Sequence, residues 1–210
     1  MNIYSFNQGG YMGRNEEKNL EQRRKMMEKI EDGALYYFAK YGLAGAKISD
    51  LSKYLGISQG LLYRYYSSKE ELFQAVSSKW IETRDHNFKN LVTTSMTAKE
   101  KVLFLTKHVE NSLKKDMKFA SFFTIFENNS LTAGTQKGSL FYTWSNEPCE
   151  MLAEIIRQGQ KEEEFHEGNP TQMSVSYWGL VFAISHNYIA SGTLENYDFT
   201  LLNRLIIKNI

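Results

Sequence analysis

Residues Gly56–Gly60 read GISQG, and this pentapeptide satisfies two incompatible patterns. As G-x-S-x-G it is the nucleophile elbow of a serine hydrolase, in which the serine sits on a sharp strand-to-helix turn. As the turn of a helix-turn-helix it needs a helix on both sides. The flanks decide. Upstream, Ile48, Leu51 and Leu55 fall at steps of three and four, which predicts a short helix over Ile48–Leu55. A strand would put Ile48, Asp50, Ser52 and Tyr54 on one face, and that set is not apolar. Downstream, a third helix is predicted over Gln59–Tyr66, with the Ser58 hydroxyl as its N-cap and Gly56 taking the left-handed turn before it. Asp116 or Asp198 with His166 or His186 offer candidate triad partners downstream, but the strand–helix alternation of a hydrolase sheet is missing. No catalytic residue is assigned and no enzyme is expected.

The rest of the chain agrees with an all-α fold. Two prolines interrupt 210 residues. A first helix is predicted over Glu21–Tyr41, with Met27, Ile30, Ala34, Phe38 and Tyr41 on one stripe and Gly42 as its stop. Ser68 opens a fourth helix over about Lys69–Leu91 through a capping box with Glu71. Val102, Leu105, Val109 and Leu113 mark an amphipathic helix, followed by a Phe-rich piece over Phe119–Phe126. Pro148 suits only a first turn, which places a helix start at Ser145 or Asn146 and its end near Gly159. The acidic run KEEEFHEGNP reads as a loop. Thr171–Ser191 and Phe199–Ile210 are predicted as the last two long helices.

Composition narrows the class. Hydrophobic residues make up 42% and charged residues 23%, as in ordinary soluble domains. No stretch approaches the roughly 20 uncharged apolar residues of a membrane span. Residues 1–13 carry no Lys or Arg and no apolar block, so they are not read as a secretory signal; Met12 offers an alternative start. Cys149 is the only cysteine, which fits a reducing cytoplasm. With no Cys or His pair at ligand spacing, neither metal nor cofactor is expected. The net charge of +1 divides into 12 basic against 9 acidic residues over 1–80 and 13 against 15 over 81–210, a mild asymmetry.

From Ile30 to Val76 the chain resembles the DNA-binding domain of TetR-family transcriptional regulators. The family's opening helix, with its Ile, Ala, Phe and closing Gly, appears as Ile30, Ala34, Phe38 and Gly42. Its string D-I-A-x-x-x-G-V-S-x-G-x-L-Y-x-Y-F-x-S-K-E-x-L appears from Asp50 to Leu72 as DLSKYLGISQGLLYRYYSSKEEL. The likeness covers about a quarter of the 210 residues; the remainder matches only in outline. Three departures stand out: Lys47 and Leu61 where the family usually has Thr, and Tyr66 where it has Phe.

The resemblance implies a polar tail over 1–20, a TetR-type domain over 21–80 with its motif at about 46–65, and an effector-binding and dimerisation domain over 81–210. It also implies a homodimeric, ligand-released repressor in the cytoplasm, with double-stranded operator DNA as partner and no membrane association. A helical protein-interaction module is the alternative that does not bind DNA. Around the turn, Lys47, Ser49, Ser58 and Gly60 would meet DNA. On the third helix Gln59 suits an adenine edge, and Arg64 suits either guanine or a phosphate. Leu61, Tyr63 and Tyr65 complete that face, although either tyrosine can instead lie partly under the helix. Lys69, at the start of the fourth helix, would favour a phosphate.

In the body, an apolar or aromatic small-molecule effector would meet Phe104, His108, Phe122 and Phe126, together with Trp144, Tyr177, Trp178 and His186. Aromatic residues at helical spacing also fill ordinary cores, and so do hydrogen-bonded histidines. The last two helices are too apolar to stand alone, so Trp178, Phe182, Leu202, Leu205 and Ile206 are expected at a two-fold interface.

Overall fold

The computed structural model describes residues 14–130, 140–195 and 197–210, and among them every named element is a helix. The first, α1 (Arg14–Gly45), begins earlier than predicted, because Arg14–Leu20 holds no Gly or Pro to break it. It is interrupted at Gly42 (φ 68°, ψ 162°), the residue expected to stop it. Ile30, Ala34 and Phe38 are fully buried. Tyr41, expected on the same stripe, is half exposed and lies against the Tyr37 ring at 4.6 Å.

Helix α2 (Ile48–Leu55) packs on α1 where Gly33 leaves room for it: a Cβ at Gly33 would stand 2.1 Å from Leu55 Cδ2. It ends at Gly56 in the left-handed conformation (φ 66°). Helix α3 (Gln59–Tyr63) follows. It is shorter than predicted because Tyr66 turns into the core, where it is 5% exposed. Before α4 (Lys69–Thr93), the Ser68 hydroxyl accepts the Glu71 N–H at 3.1 Å. The Glu71 carboxylate reaches back one residue further than a capping box requires, accepting the N–H and hydroxyl of Ser67, both at 2.6 Å.

The body is built from α4, α5 (Ala98–Lys115), α6 (Lys118–Ser130), α7 (Leu140–Lys161), α8 (Pro170–Ser191) and α9 (Thr200–Arg204). Val102, Leu105, Val109 and Leu113 of α5 are all buried. Thr97 and Glu100 close a capping box that the sequence reading passed over. Pro148 lies inside α7 rather than at its start. An interior proline costs about 3 kcal/mol, and the buried Leu152, Ile155 and Ile156 on the same helix outweigh it at roughly 1.5–3 kcal/mol each. The long terminal helix is also corrected. After α9 the chain straightens; the His166 N–H donates to the Ile206 carbonyl at 2.9 Å and the Lys208 N–H to that of Glu164 at 3.0 Å. These bonds form an antiparallel bridge, Phe165 to Ile207. No helix among the described residues is long and apolar enough to cross a membrane.

Phe165, in the stretch read as an acidic loop, is fully buried and seated on Gly159 of α7. A Cβ there would come within 2.2–2.6 Å of three ring atoms. Gly159→Ala should therefore destabilise the fold: overpacking costs about 1–3 kcal/mol, against a helical gain of roughly 0.5–1 kcal/mol. Urea unfolding should show a lower midpoint at unchanged slope; a higher midpoint would mean that the ring has room to move.

Candidate nucleic-acid interface and effector cavity

The turn between α2 and α3 has helices on both flanks, so the strand that a nucleophile elbow needs is absent from this position. The Ser58 hydroxyl is engaged as the α3 cap, accepting the Leu61 N–H at 3.1 Å. Leu62 points into the core, fully buried. That orientation leaves Gln59, Gly60, Tyr63 and Arg64 exposed on the outer face of α3, with Lys47 exposed at the start of α2. Ser49, Leu61 and Tyr65 are half-buried beside them. Neither Lys47 nor Arg64 has an ion-pair partner among the described residues. A Cβ built on Gly60 would meet no atom of the chain within 4 Å.

Lys69 departs from its expected role. Its ammonium donates to the carbonyls of Leu43 (2.9 Å), Ala44 (3.4 Å) and Ala46 (3.1 Å). Those carbonyls stand at the end of α1 and just past it, where helical donors run out; among them Leu43 also accepts the Ala46 N–H at 3.3 Å. Three N–H donors meet three acceptors, and the lysine positions the α1–α2 connection, hence Lys47, instead of facing outward.

Tyr66 also does more than fill space. Its hydroxyl donates to Glu31 Oε1 at 2.8 Å, and Lys79 of α4 holds Oε2 of the same carboxylate at 2.7 Å. Burial first, and then the Glu31 carboxylate, push this phenol well above its ordinary range. The extra oxygen, absent from phenylalanine, thus ties the turn after α3 to α1. One residue on, Asp32 Oδ2 lies 2.6 Å from the Lys118 ammonium of α6.

Within the body, a cavity of about 720 Å³ opens between α4, α5, α6 and α8. Phe104, His108, Phe122 and Trp178 line it, and the sequence reading had grouped all four. Tyr177 does not: it is fully buried, its hydroxyl 3.1 Å from Thr106 Oγ1. His186 stands on the exposed surface near the Phe182 ring. Phe126 and Trp144 lie outside the described side chains.

The α4 wall was missed. Trp80, Arg84 and Phe88 line the cavity at successive four-residue steps, a periodicity visible in sequence but absorbed into the reading of α4 as a connector. Trp80 stacks on Phe122 at 5.4 Å, and Trp178 on Phe123 at 5.9 Å. The Phe123–Trp178 pair separates this space from a second cavity of about 400 Å³ that Cys149 borders. Burial pushes the Cys149 thiol up, away from thiolate reactivity.

The interface assignment needs correction. Leu202 and Ile206 are fully buried within the chain's own core, because α9 folds back onto α5. They have no surface to offer a partner. Leu205 is 39% exposed, and Val175 on α8 is 54% exposed.

Residues 30–76 match the family model described as bacterial regulatory proteins, tetR family. Over 94 residues the chain is 30% identical to the fatty acid metabolism regulator protein of Bacillus subtilis (strain 168), a match spanning 42% of this chain and 46% of that protein. The matched region is thus under half the length of that curated relative. A transcriptional regulator of the TetR family from Agrobacterium tumefaciens superposes with a TM-score of 0.67 at 10% identity, covering 87% of this chain and 94% of that one. AibR, solved with isovaleryl coenzyme A and operator DNA, superposes at 0.62 and 16% identity, covering 79% and 94%. At such identities the superpositions establish the fold.

Replacing Lys69 by methionine removes the ammonium from the Leu43, Ala44 and Ala46 carbonyls and should lower stability by about 1–2 kcal/mol. Denaturant unfolding followed by circular dichroism reads this, and a variant as stable as the parent would dismiss the clamp.

Proposed function

We propose, on the premise that this chain is a regulator of the tetR family, that it is a sequence-specific DNA-binding repressor, homodimeric and released from its operator by a small molecule. The observation that carries this is the outer face of α3: Gln59, Tyr63 and Arg64 exposed around Gly60, with cations at Lys47 and Arg64 that have no ion-pair partner among the described residues. An α-helical face fits the major groove, where Gln and Arg can read base edges. A dimer would present two such faces to half-sites roughly 34–36 Å apart. Exposed Val175 on α8, with half-exposed Leu205 beyond it, supplies the surface for the two-fold contact, in place of Leu202 and Ile206. The aromatic cavity takes the effector, and the protein acts in the cytoplasm without catalysis of its own.

Selection of duplexes from a random pool, followed by titration across salt concentrations, tests the assignment. Affinity should fall steeply with salt as counterions are released. Arg64→Ala should cost about 1–3 kcal/mol at one base position if it reads a base, or weaken all sequences and lower the salt slope by about one if it holds a phosphate. Lys69→Met should leave that slope unchanged. If no duplex is retained above background, the interaction-module alternative takes its place.

The dimer is checked separately. A charge at Val175 would face its own copy across the axis, so Val175→Glu should sediment as a monomer at micromolar concentration with its fold intact. A dimer of undiminished strength would move the interface elsewhere.

A further inference from the structure

The cavity is apolar over most of its wall but not at its rim. Lys115, Lys118 and Arg84 border it, with Asp116 as the acid among them. Lys115 has no ion-pair partner among the described residues. The Asp116 carboxylate is engaged by the Lys118 backbone N–H at 2.8 Å. Positive charge therefore predominates where the aromatic surface of Trp80, Phe122 and Phe123 ends.

One of these cations also holds the reading domain. Lys118 lines the cavity and is paired to Asp32 of α1 at 2.6 Å. Both side chains are partly exposed, at 34% and 45%, so the pair is open to competition. Asp32 is adjacent to Glu31, the acceptor of the Tyr66 hydroxyl at the end of the DNA-facing segment. Asp116 and Asp32 act on a common spot: after burial, they are the groups that push the nearby Tyr36 phenol up to about 12. Taking the Lys118 charge away would leave that acidic pair uncompensated along the α1–α6 contact.

We propose that the effector is an amphiphile carrying one anionic group, and that this group displaces Asp32 from Lys118 and so loosens α1 from α6. The inference rests on the cavity being the effector site. The apolar part of the molecule occupies the aromatic space, which fixes its anionic end at the rim beside Lys115 and Lys118. Neutral or cationic molecules of the same shape would fill the cavity without breaking the pair. Ligand charge, rather than ligand bulk alone, then becomes the signal.

Three probes with ten-carbon chains separate the possibilities: decanoate, decanol and decyltrimethylammonium, titrated against the full chain and followed by tryptophan emission. Decanoate should bind tightest and the ammonium weakest. Asp32→Asn removes the internal competitor, so decanoate should bind about two- to fivefold more tightly while decanol is unaffected. In a Lys118→Gln background the same Asp32 change should do nothing, since the competition runs through that ammonium. Hydrogen exchange over residues 29–39 should quicken when decanoate is added to the parent and should already be fast in Asp32→Asn.

Equal tightening in both backgrounds would reduce the effect to a distant field and overturn the exchange. Affinities indifferent to probe charge would also overturn it while leaving the cavity as effector site. If none of the three probes binds, the cavity reading falls too. None of these outcomes bears on the duplex selection, which tests DNA binding independently.

Discussion

Helix α1 packs at once against α2, α4 and α6, and most of the architecture follows from that requirement. Its inward residues Ile30, Ala34 and Phe38 are fully buried, Phe38 against Phe73 of α4, while the same helix lies along α6 of the body. A helix used on both sides cannot shift to suit one neighbour without disturbing the other. Its polar positions reinforce the constraint. Glu31 is held from the reading domain by Tyr66 and from α4 by Lys79, and Asp32 is held from the body by Lys118. Lys69 then secures the point where the chain leaves α1 for α2.

Magnitudes show how such a joint can transmit a signal without being weak. A hundredfold loss of DNA affinity corresponds to about 2.7 kcal/mol of coupling between sites. A partly exposed ion pair contributes only about 0.2–1 kcal/mol, so the Asp32–Lys118 contact alone cannot provide it. The remainder has to come from packing. The stacked Trp80–Phe122 pair is suited to this, since one ring belongs to α4 and the other to α6. On the proposed mechanism, a ligand inserted beside that stack would act on both helices that carry α1, and the ion pair would decide which ligands do so effectively.

Much of the reading domain was legible because its signals are local. The apolar spacing of Ile48, Leu51 and Leu55, the Ser58 cap and the left-handed Gly56 each depend on a few neighbouring residues. The body was less so. Phe199–Ile210 has helical periodicity, yet it gives up most of that helix to pair Ile207 with Phe165, more than 40 positions away, and no local rule anticipates this. Leu202 and Ile206 looked like an interface for the same reason: apolar residues on a helix require a partner, and sequence does not say whether it comes from the same chain. Lys69 was misassigned because a lysine at a helix start attracts phosphates by default. Its three carbonyl acceptors come from a segment over 20 residues earlier.

Gly60 carries a different implication. It sits in the first turn of α3, where alanine would restrict the unfolded chain more than glycine does, and nothing among the described residues requires the missing side chain. The folded protein taken alone would be improved by filling that position. On the proposed DNA-facing surface, the same vacancy would let another molecule approach to backbone distance. Thermal robustness and docking would then pull this one position in opposite directions.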